Sequence, residues 1–503
     1  MGYELIAAVD LGSNSFRLQV GRVVGDQIYP LDAIKEPVRL ASGLTPGKVL
    51  DAASQQRALQ ALSRFGERLR GFDPGAVRAV ATNALRVAKN ALEFLPLAEE
   101  ALGFPIEIIA GREEARLIWL GAVHSLPPAQ HKRLVVDIGG GSTEFIIGRR
   151  VEPQLMESLF MGCVSYTLRF FPEGRIDKRS MREAQVAAES EIQNIAHDYR
   201  RHGWREAVGS SGTARAIADL LELNNLNPGG VAGITREGLL RLQSLLIRAG
   251  AATSLNMAGL RADRIPVLPG GIAIMSAVFE ALGIERMTYS DGALRLGVLY
   301  DLLGRFHHHD MRDTTVAQFM ARYQVDVRQA ERVERTARRI LAQIDGPAET
   351  PDFEGDAHYL SWACLLHEVG ISIAHSAYHK HGAYILTFAD MPGFSKKDQA
   401  RLALLVFGHR GKVDKISALP VGDPTWRLIF SLRLAVLLHR PRDGEALPAF
   451  RIKASSEGFA VELPHDWLES RPLTEVALND EIVAWQRIGL NLRVKRRTSL
   501  RET

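Results

Sequence analysis

The sequence predicts an α/β protein built from two duplicated halves, followed by a helical region and a small mixed tail. Three observations predict it. Over the first three hundred residues, short β-branched runs alternate with apolar residues at helical spacing. Residues 9–21, VDLGSNSFRLQVG, align without a gap with 136–148, VDIGGGSTEFIIG. Between 311 and 440 strand patterns stop and helical ones continue.

The elements follow in order. LIAAVD and FRLQVG read as strands about a Gly-Ser turn. Leu59, Leu62, Phe65 and Leu69 recur at helical spacing in the segment beginning DAASQQ. AVRAVAT and PIEIIA are short apolar runs bounded by Gly or Pro, hence strands, and GREEARLIWLGAVHS is a helix with two acids in its first turn. From Lys132 the order repeats: strand, Gly turn, strand, long polar helix, then REAVGSSGTARAIADL as strand, tight turn and helix. Helices at 269–282 and 291–303 flank the short strand MTYS. FRIKASSEGFAVELP reads as a hairpin and LNLRVK as a closing strand.

Composition narrows the class. Of 503 residues, 46% are hydrophobic and 24% charged, the balance of a globular chain long enough for several cores. A net charge of +4 permits a polyanionic partner without demanding one, and nucleic acid is not among the partners expected. Cys163 and Cys364 are the only cysteines, which argues against a disulfide framework and for a reducing compartment. Glu4 and Asp10 interrupt the apolar core that a signal peptide needs. The apolar stretch 265–279 contains Pro269 and reads as a buried helix, too short for the ~20 residues of a membrane span.

The repeated segment carries the chemistry. Gly12, Ser13, Asn14 and Ser15, and again Gly139, Gly140, Gly141 and Ser142, present consecutive backbone N–H groups at tight turns, the form of an anion nest. Asp10 and Asp137 end the preceding strands and point into the same space. A carboxylate beside a phosphate nest is repulsive unless a cation lies between, and Mg²⁺ suits oxygen ligands shared between carboxylate and phosphate. Ser211, Gly212 and Thr213 open a helix and add a third N-terminal phosphate site. Arg86 is a candidate phosphate clamp, because a guanidinium fork matches phosphate oxygens.

DLGSNSF, TNALR, GREEARLI, DIGGGSTE, GSSGT and SDGALR occur in that order and spacing, and by them the chain resembles the exopolyphosphatase and guanosine pentaphosphate phosphohydrolase family. The resemblance implies two ribonuclease-H-like domains (1–124 and 125–305) around a cleft. Residues 306–440 would form an all-helical domain like the HD-type phosphohydrolases, and 441–503 a small α/β domain. It implies a cytoplasmic, dimeric, Mg²⁺-dependent hydrolase and leaves K⁺ open as a second ion. Glu114 stands where the family has its catalytic glutamate, and a first-turn position favours its ionised form. Glu113 reads as ordinary decoration of that helix start. Asp137 and Glu144, by resemblance, help hold Mg²⁺; Glu144 faces inward if the strand alternation places it there.

Ten of the fifteen histidines lie between 306 and 440. The HD-type metal pair is altered to His367-Glu368, which argues against a second metal centre. His375, His379, Lys380, His381, His409, Arg410 and Lys412 read instead as a basic track for polyphosphate, and HHHD at 307–310 as a linker. The leading expectation is an exopolyphosphatase that removes terminal orthophosphate from inorganic polyphosphate. The alternatives are hydrolysis of guanosine pentaphosphate and a non-catalytic polyphosphate or nucleotide sensor. The second Gly loop without alanine and the basic track place the chain on the polyphosphate side of that resemblance.

Overall fold

In a computed structural model, residues 3–306, 310–346 and 352–497 are described; His307, His308 and His309 of the expected linker lie outside them. The chain forms two compact units, Met1–Met311 and Arg312–Thr503.

The first unit contains two sheets of matching design. One consists of β1 (Leu5–Leu11), β2 (Phe16–Val24), β3 (Gln27–Glu36), β4 (Val77–Ala81) and β5 (Ile106–Ile108), in the order β3-β2-β1-β4-β5. The other consists of β6 (Arg133–Ile138), β7 (Thr143–Arg149), β8 (Glu152–Leu159), β9 (Glu206–Ser210), β10 (Ile234–Thr235) and β11 (Arg286–Tyr289), in the order β10-β11-β9-β6-β7-β8. In each, an antiparallel meander of three strands is followed by parallel pairing on its far side. The internal repeat is preserved in register. Asp10 pairs with Arg17 and Asp137 with Glu144, and both meanders shift register at the same place, between Val20 and Gly21 and between Ile147 and Gly148.

The inner faces of both sheets pack on two helices lying between them, Gly111–Ser125 and Leu294–Phe306. Ile6, Ala8, Val80, Leu117, Trp119, Val135, Ile146, Val208, Val298 and Leu302 form one apolar cluster there. The second of these helices, late in the chain, thus completes the core of the first sheet. The two helices approach through glycines: a Cβ on Gly297 would collide with the Leu117 carbonyl, and one on Gly121 with that of Ala293. Helices Ala52–Arg68 and Ala91–Leu102 cover the outer face of the first sheet, through Leu62, Phe65, Phe94 and Leu102. Cys163–Phe170, Lys178–His202 and Leu268–Leu282 cover that of the second. With both faces covered, β6 and most of β7 are buried throughout, so Glu144 and its neighbour Phe145 are both interior and simple alternation does not apply. One stretch among the described residues, Ile265–Leu282, is long and apolar enough to cross a membrane by length and composition, at 18 residues; 78% of it is buried in the fold.

The second unit is helical from Met311–Arg322 to Thr425–Leu438 and closes with β12 (Arg451–Ser455), β13 (Gly458–Pro464) and β14 (Asn491–Arg497). β12 and β13 form the expected hairpin, and β14 adds parallel to β13. Helices and sheet share one core: Phe430 stacks on Phe459 with ring centroids 4.0 Å apart, and Trp485 meets both edge-on.

Candidate active site

The tips of the two repeated hairpins meet. A Cβ on Gly140 would lie 2.9 Å from the Ser13 Cβ and 3.3 Å from the Asn14 nitrogen, so only bare backbone lets the loops approach this closely. Gly12–Ser15 and Gly139–Ser142 together line a cleft of about 390 Å³, with Asp10, Glu114, Asp137, Ser211 and Gly212 in its walls. Ser211 adopts φ +82°, a left-handed conformation that is strained for a residue with a side chain and is found where surrounding structure imposes it, commonly at functional sites. Arg264 lies against Gly212, where any side chain would collide with the guanidinium. Thr213 does not line the cleft; its hydroxyl donates to the Ile138 carbonyl (3.0 Å) and ties the helix start to the end of β6.

Four carboxylates converge. Glu114 enters from the first turn of helix Gly111–Ser125. Contrary to the expectation from the helix dipole alone, burial pushes its carboxyl up, and Arg86 is what opposes this. The Arg86 Nη1 donates to the Glu114 Oε2 at 3.0 Å and to the Ile109 carbonyl at 2.9 Å. Arg86 thus pairs with the glutamate through Nη1 and does not itself line the cleft. Burial also raises Asp137 to about 7, with the Ser210 hydroxyl opposing and Glu114 and Asp10 adding to the rise. Asp10 is raised by burial against the pull of Arg295 and Arg17, and its Oδ1 is buried without a hydrogen-bond partner. Glu144 lies behind the cleft wall, accepts from Ser158 Oγ at 2.8 Å, and is driven well above the usual carboxylate range by burial, then by Glu114 and Asp137.

Glu113 is not surface decoration. It is buried and receives both Nε and Nη2 of Arg116 at 2.8 Å. Arg116 also reaches Asp301 Oδ1 (2.5 Å), and Arg78 from β4 reaches Asp301 Oδ2 (2.6 Å). This buried network bolts the helix that carries Glu114 to β4 and to helix Leu294–Phe306.

Sequence reasoning named none of the cations that line the cleft. Arg17, Lys35, Arg215, Arg261, Arg264 and Arg295 all line the cleft. Arg17 had a signal, since it holds in the first repeat the place of Glu144 in the second, and Arg295 closes the SDGALR motif. Lys35, on an edge strand, and Arg261 and Arg264, in an irregular segment, carry no pattern that distinguishes them from surface residues.

The basic track of the second unit divides. His375, Lys380, Arg410 and Lys412 are exposed and His381 is half-buried. His379 and His409 are buried and held neutral: burial lowers His379 to about 4 and His409 well below the ordinary imidazole value. Neither is the exposed donor the track required.

Residues 19–306 match the Ppx/GppA phosphatase family, and residues 311–482 match Ppx/GppA phosphatase, domain III. The chain is 38% identical over 490 residues to a guanosine-5'-triphosphate,3'-diphosphate pyrophosphatase of Aeromonas hydrophila, spanning 96% of this chain and 97% of that one. Its fold is similar to the crystal structure of an exopolyphosphatase from Cytophaga hutchinsonii, with TM-score 0.54 and 24% identity over 60% of this chain and 98% of the other. An exopolyphosphatase-like protein matches with TM-score 0.53 and 26% identity, over 60% of this chain and 99% of that chain.

Proposed function

From the premise that the chain belongs to the Ppx/GppA phosphatase family, we propose that it is a phosphoanhydride hydrolase that removes the terminal phosphate of guanosine pentaphosphate, with inorganic polyphosphate as a second substrate. The observation that carries hydrolysis is the cleft itself, in which paired backbone nests and six cations face a cluster of buried carboxylates. The choice of nucleotide over polyphosphate, the reverse of the leading sequence expectation, is supported by likeness along nearly the whole chain to a relative named for that nucleotide. It is supported too by the burial of two histidines on which the polyphosphate track depended.

In this reading the N–H groups of Gly12–Ser15, Gly139–Ser142 and Gly212 hold phosphate oxygens, and Arg17, Arg264 and Arg295 offset their charge. Glu114, aimed by Arg86, orients the attacking water and accepts its proton. The donor set fits Mg²⁺: Asp10 has a buried oxygen without a partner, and Asp137 is a carboxylate whose ionisation is disfavoured until a cation arrives. Asp10 and Asp137 would hold the ion, with Glu144 behind them, and bound there it supplies neutralisation of phosphate charge.

The test is orthophosphate release from guanosine pentaphosphate and from long-chain polyphosphate, in parallel, with and without Mg²⁺. The expected result is Mg²⁺-dependent release from both, with the larger kcat/KM for the nucleotide. A larger value for polyphosphate would reverse the order of substrates. No release from either would leave a sensor and overturn the hydrolase.

A further inference from the structure

Three cations of the cleft are gathered around an acid that is not in it. Lys35, Arg261 and Arg264 line the cleft, and Asp263 does not. Yet Asp263 meets all three. Its Oδ2 lies 2.5 Å from the Lys35 Nζ and 3.8 Å from the Arg264 Nε, and its Oδ1 lies 3.5 Å from the Arg261 Nε. Lys35 comes from β3 in the first sheet, and the two arginines from the irregular segment before helix Leu268–Leu282. One carboxylate therefore draws on cations from both halves of the unit.

The hold is loose. The Lys35 and Asp263 side chains are 37% and 38% exposed, so their ion pair is hydrated and weak. The Arg264 guanidinium is buried, but its Nε has no hydrogen-bond partner, because Asp263 stands too far off. Burial lowers the pKa of Lys35 and of Arg264, and the nearby Arg17 adds to the fall in each. Burial raises the Asp263 carboxyl, and Lys35, then Arg264 and Arg261, outweigh it and hold the acid below its usual range. Asp263 is thus ionised and shares itself among donors that it does not saturate.

Phosphate oxygens in the cleft must take the same donors. Hydrolysis removes one phosphate, and the shortened product keeps the others. Contacts common to substrate and product tighten both without speeding the chemical step, and a product held too well delays the next cycle. An acid beside these cations, but outside the space that the ligand fills, weakens that common hold. We propose, on the reading of the cleft as a phosphoanhydride site, that Asp263 is a standing competitor for its cations, a carboxylate that limits affinity for phosphate chains and lets the shortened product leave.

The experiment is calorimetric titration of the full-length protein, with Mg²⁺ present, using the guanosine tetraphosphate product and imidodiphosphate, whose P–N–P link resists hydrolysis. Steady-state kinetics with guanosine pentaphosphate run beside it. Asp263→Asn keeps the shape of the side chain and removes its charge. It should tighten both anions at least about threefold, the scale of one exposed ion pair, and lower KM, with kcat no higher than that of the unchanged protein. Damage to the fold would weaken binding instead, and Asp263→Ser should repeat the gain. In a Lys35→Met background the gain should drop to less than about half, because the closest of the three contacts is then gone. A gain undiminished in that background would mean that the charge acts through space alone and would overturn the competition for Lys35. Equal or weaker binding by Asp263→Asn, with the unchanged protein binding both anions, would overturn the competitor while the phosphate site stands. Binding of neither anion by the unchanged protein would overturn the phosphate site and the competitor with it.

Discussion

At the scale of single residues, the cleft rests on carboxylates that resist ionisation, and their neighbours decide when they ionise. Glu114→Gln keeps shape and hydrogen bonding but cannot take a proton. Turnover should fall by roughly 10²–10⁴, the range for a lost general base, with substrate affinity nearly unchanged in a direct binding titration. Arg86→Gln tests the ion pair. The guanidinium favours the charged carboxylate and so lowers its pKa against the effect of burial. Without it the pKa rises, more alkali is needed to form the base, and the acid limb of the pH–rate profile should move to higher pH; a limb that stays in place would detach Arg86 from the base. Asp137→Asn removes charge from the proposed Mg²⁺ position. It should raise the Mg²⁺ concentration for half-maximal rate, and a titration superimposable on that of the unchanged protein would move Asp137 out of that role.

At the scale of elements, the repeated hairpin was legible because its constraints are local. Glycines at the bend, an acid at the end of the strand and apolar flanks recur at one fixed spacing, and the structure reproduces even the shared register shift at Gly21 and Gly148. The helix that carries Glu114 was legible as a helix, but its surroundings were not. Glu113, Arg116, Arg78 and Asp301 are spread over more than two hundred residues, and no period joins them. The same holds for Arg86, whose partner is 28 residues away. A charged residue reads as surface until the fold brings its counter-ion. Asp301→Asn would leave Arg78 and Arg116 short of buried negative charge, and removing one partner of a buried pair costs about 3–5 kcal/mol. The expected outcome is a lower urea midpoint; an unchanged midpoint would mean that the network adds nothing to stability.

At the scale of the whole molecule, alternation of strand and helix patterns announced two α/β halves and a helical successor, but not the route of the chain between the sheets. Helix Leu294–Phe306 follows the second half in sequence and packs beside helix Gly111–Ser125, and glycine at 121 and 297 is what lets the two backbones come so near. Gly297→Ala would drive a methyl group into the Leu117 carbonyl. Such overpacking costs about 1–3 kcal/mol and would shift the helix that bears Glu114, so thermal stability and kcat should fall together. Gly355→Ala, inside the second unit's helix Asp352–Leu366 where a new Cβ meets nothing within 4 Å, is the control: kcat should stay unchanged, and stability should hold or rise by up to about 1 kcal/mol because alanine favours a helix. The late arrival of this helix also sets an order of events during synthesis. The first sheet leaves the ribosome early, but its inner face, with Ile6, Ala8 and Val80, has no complete cover until residues 294–306 have followed. Over that interval the nascent first half carries a wet apolar face, the kind of surface that chaperones shield. Glu114, the proposed base, is thus translated in the first quarter of the chain and reaches its buried environment only after nearly two hundred more residues have been made.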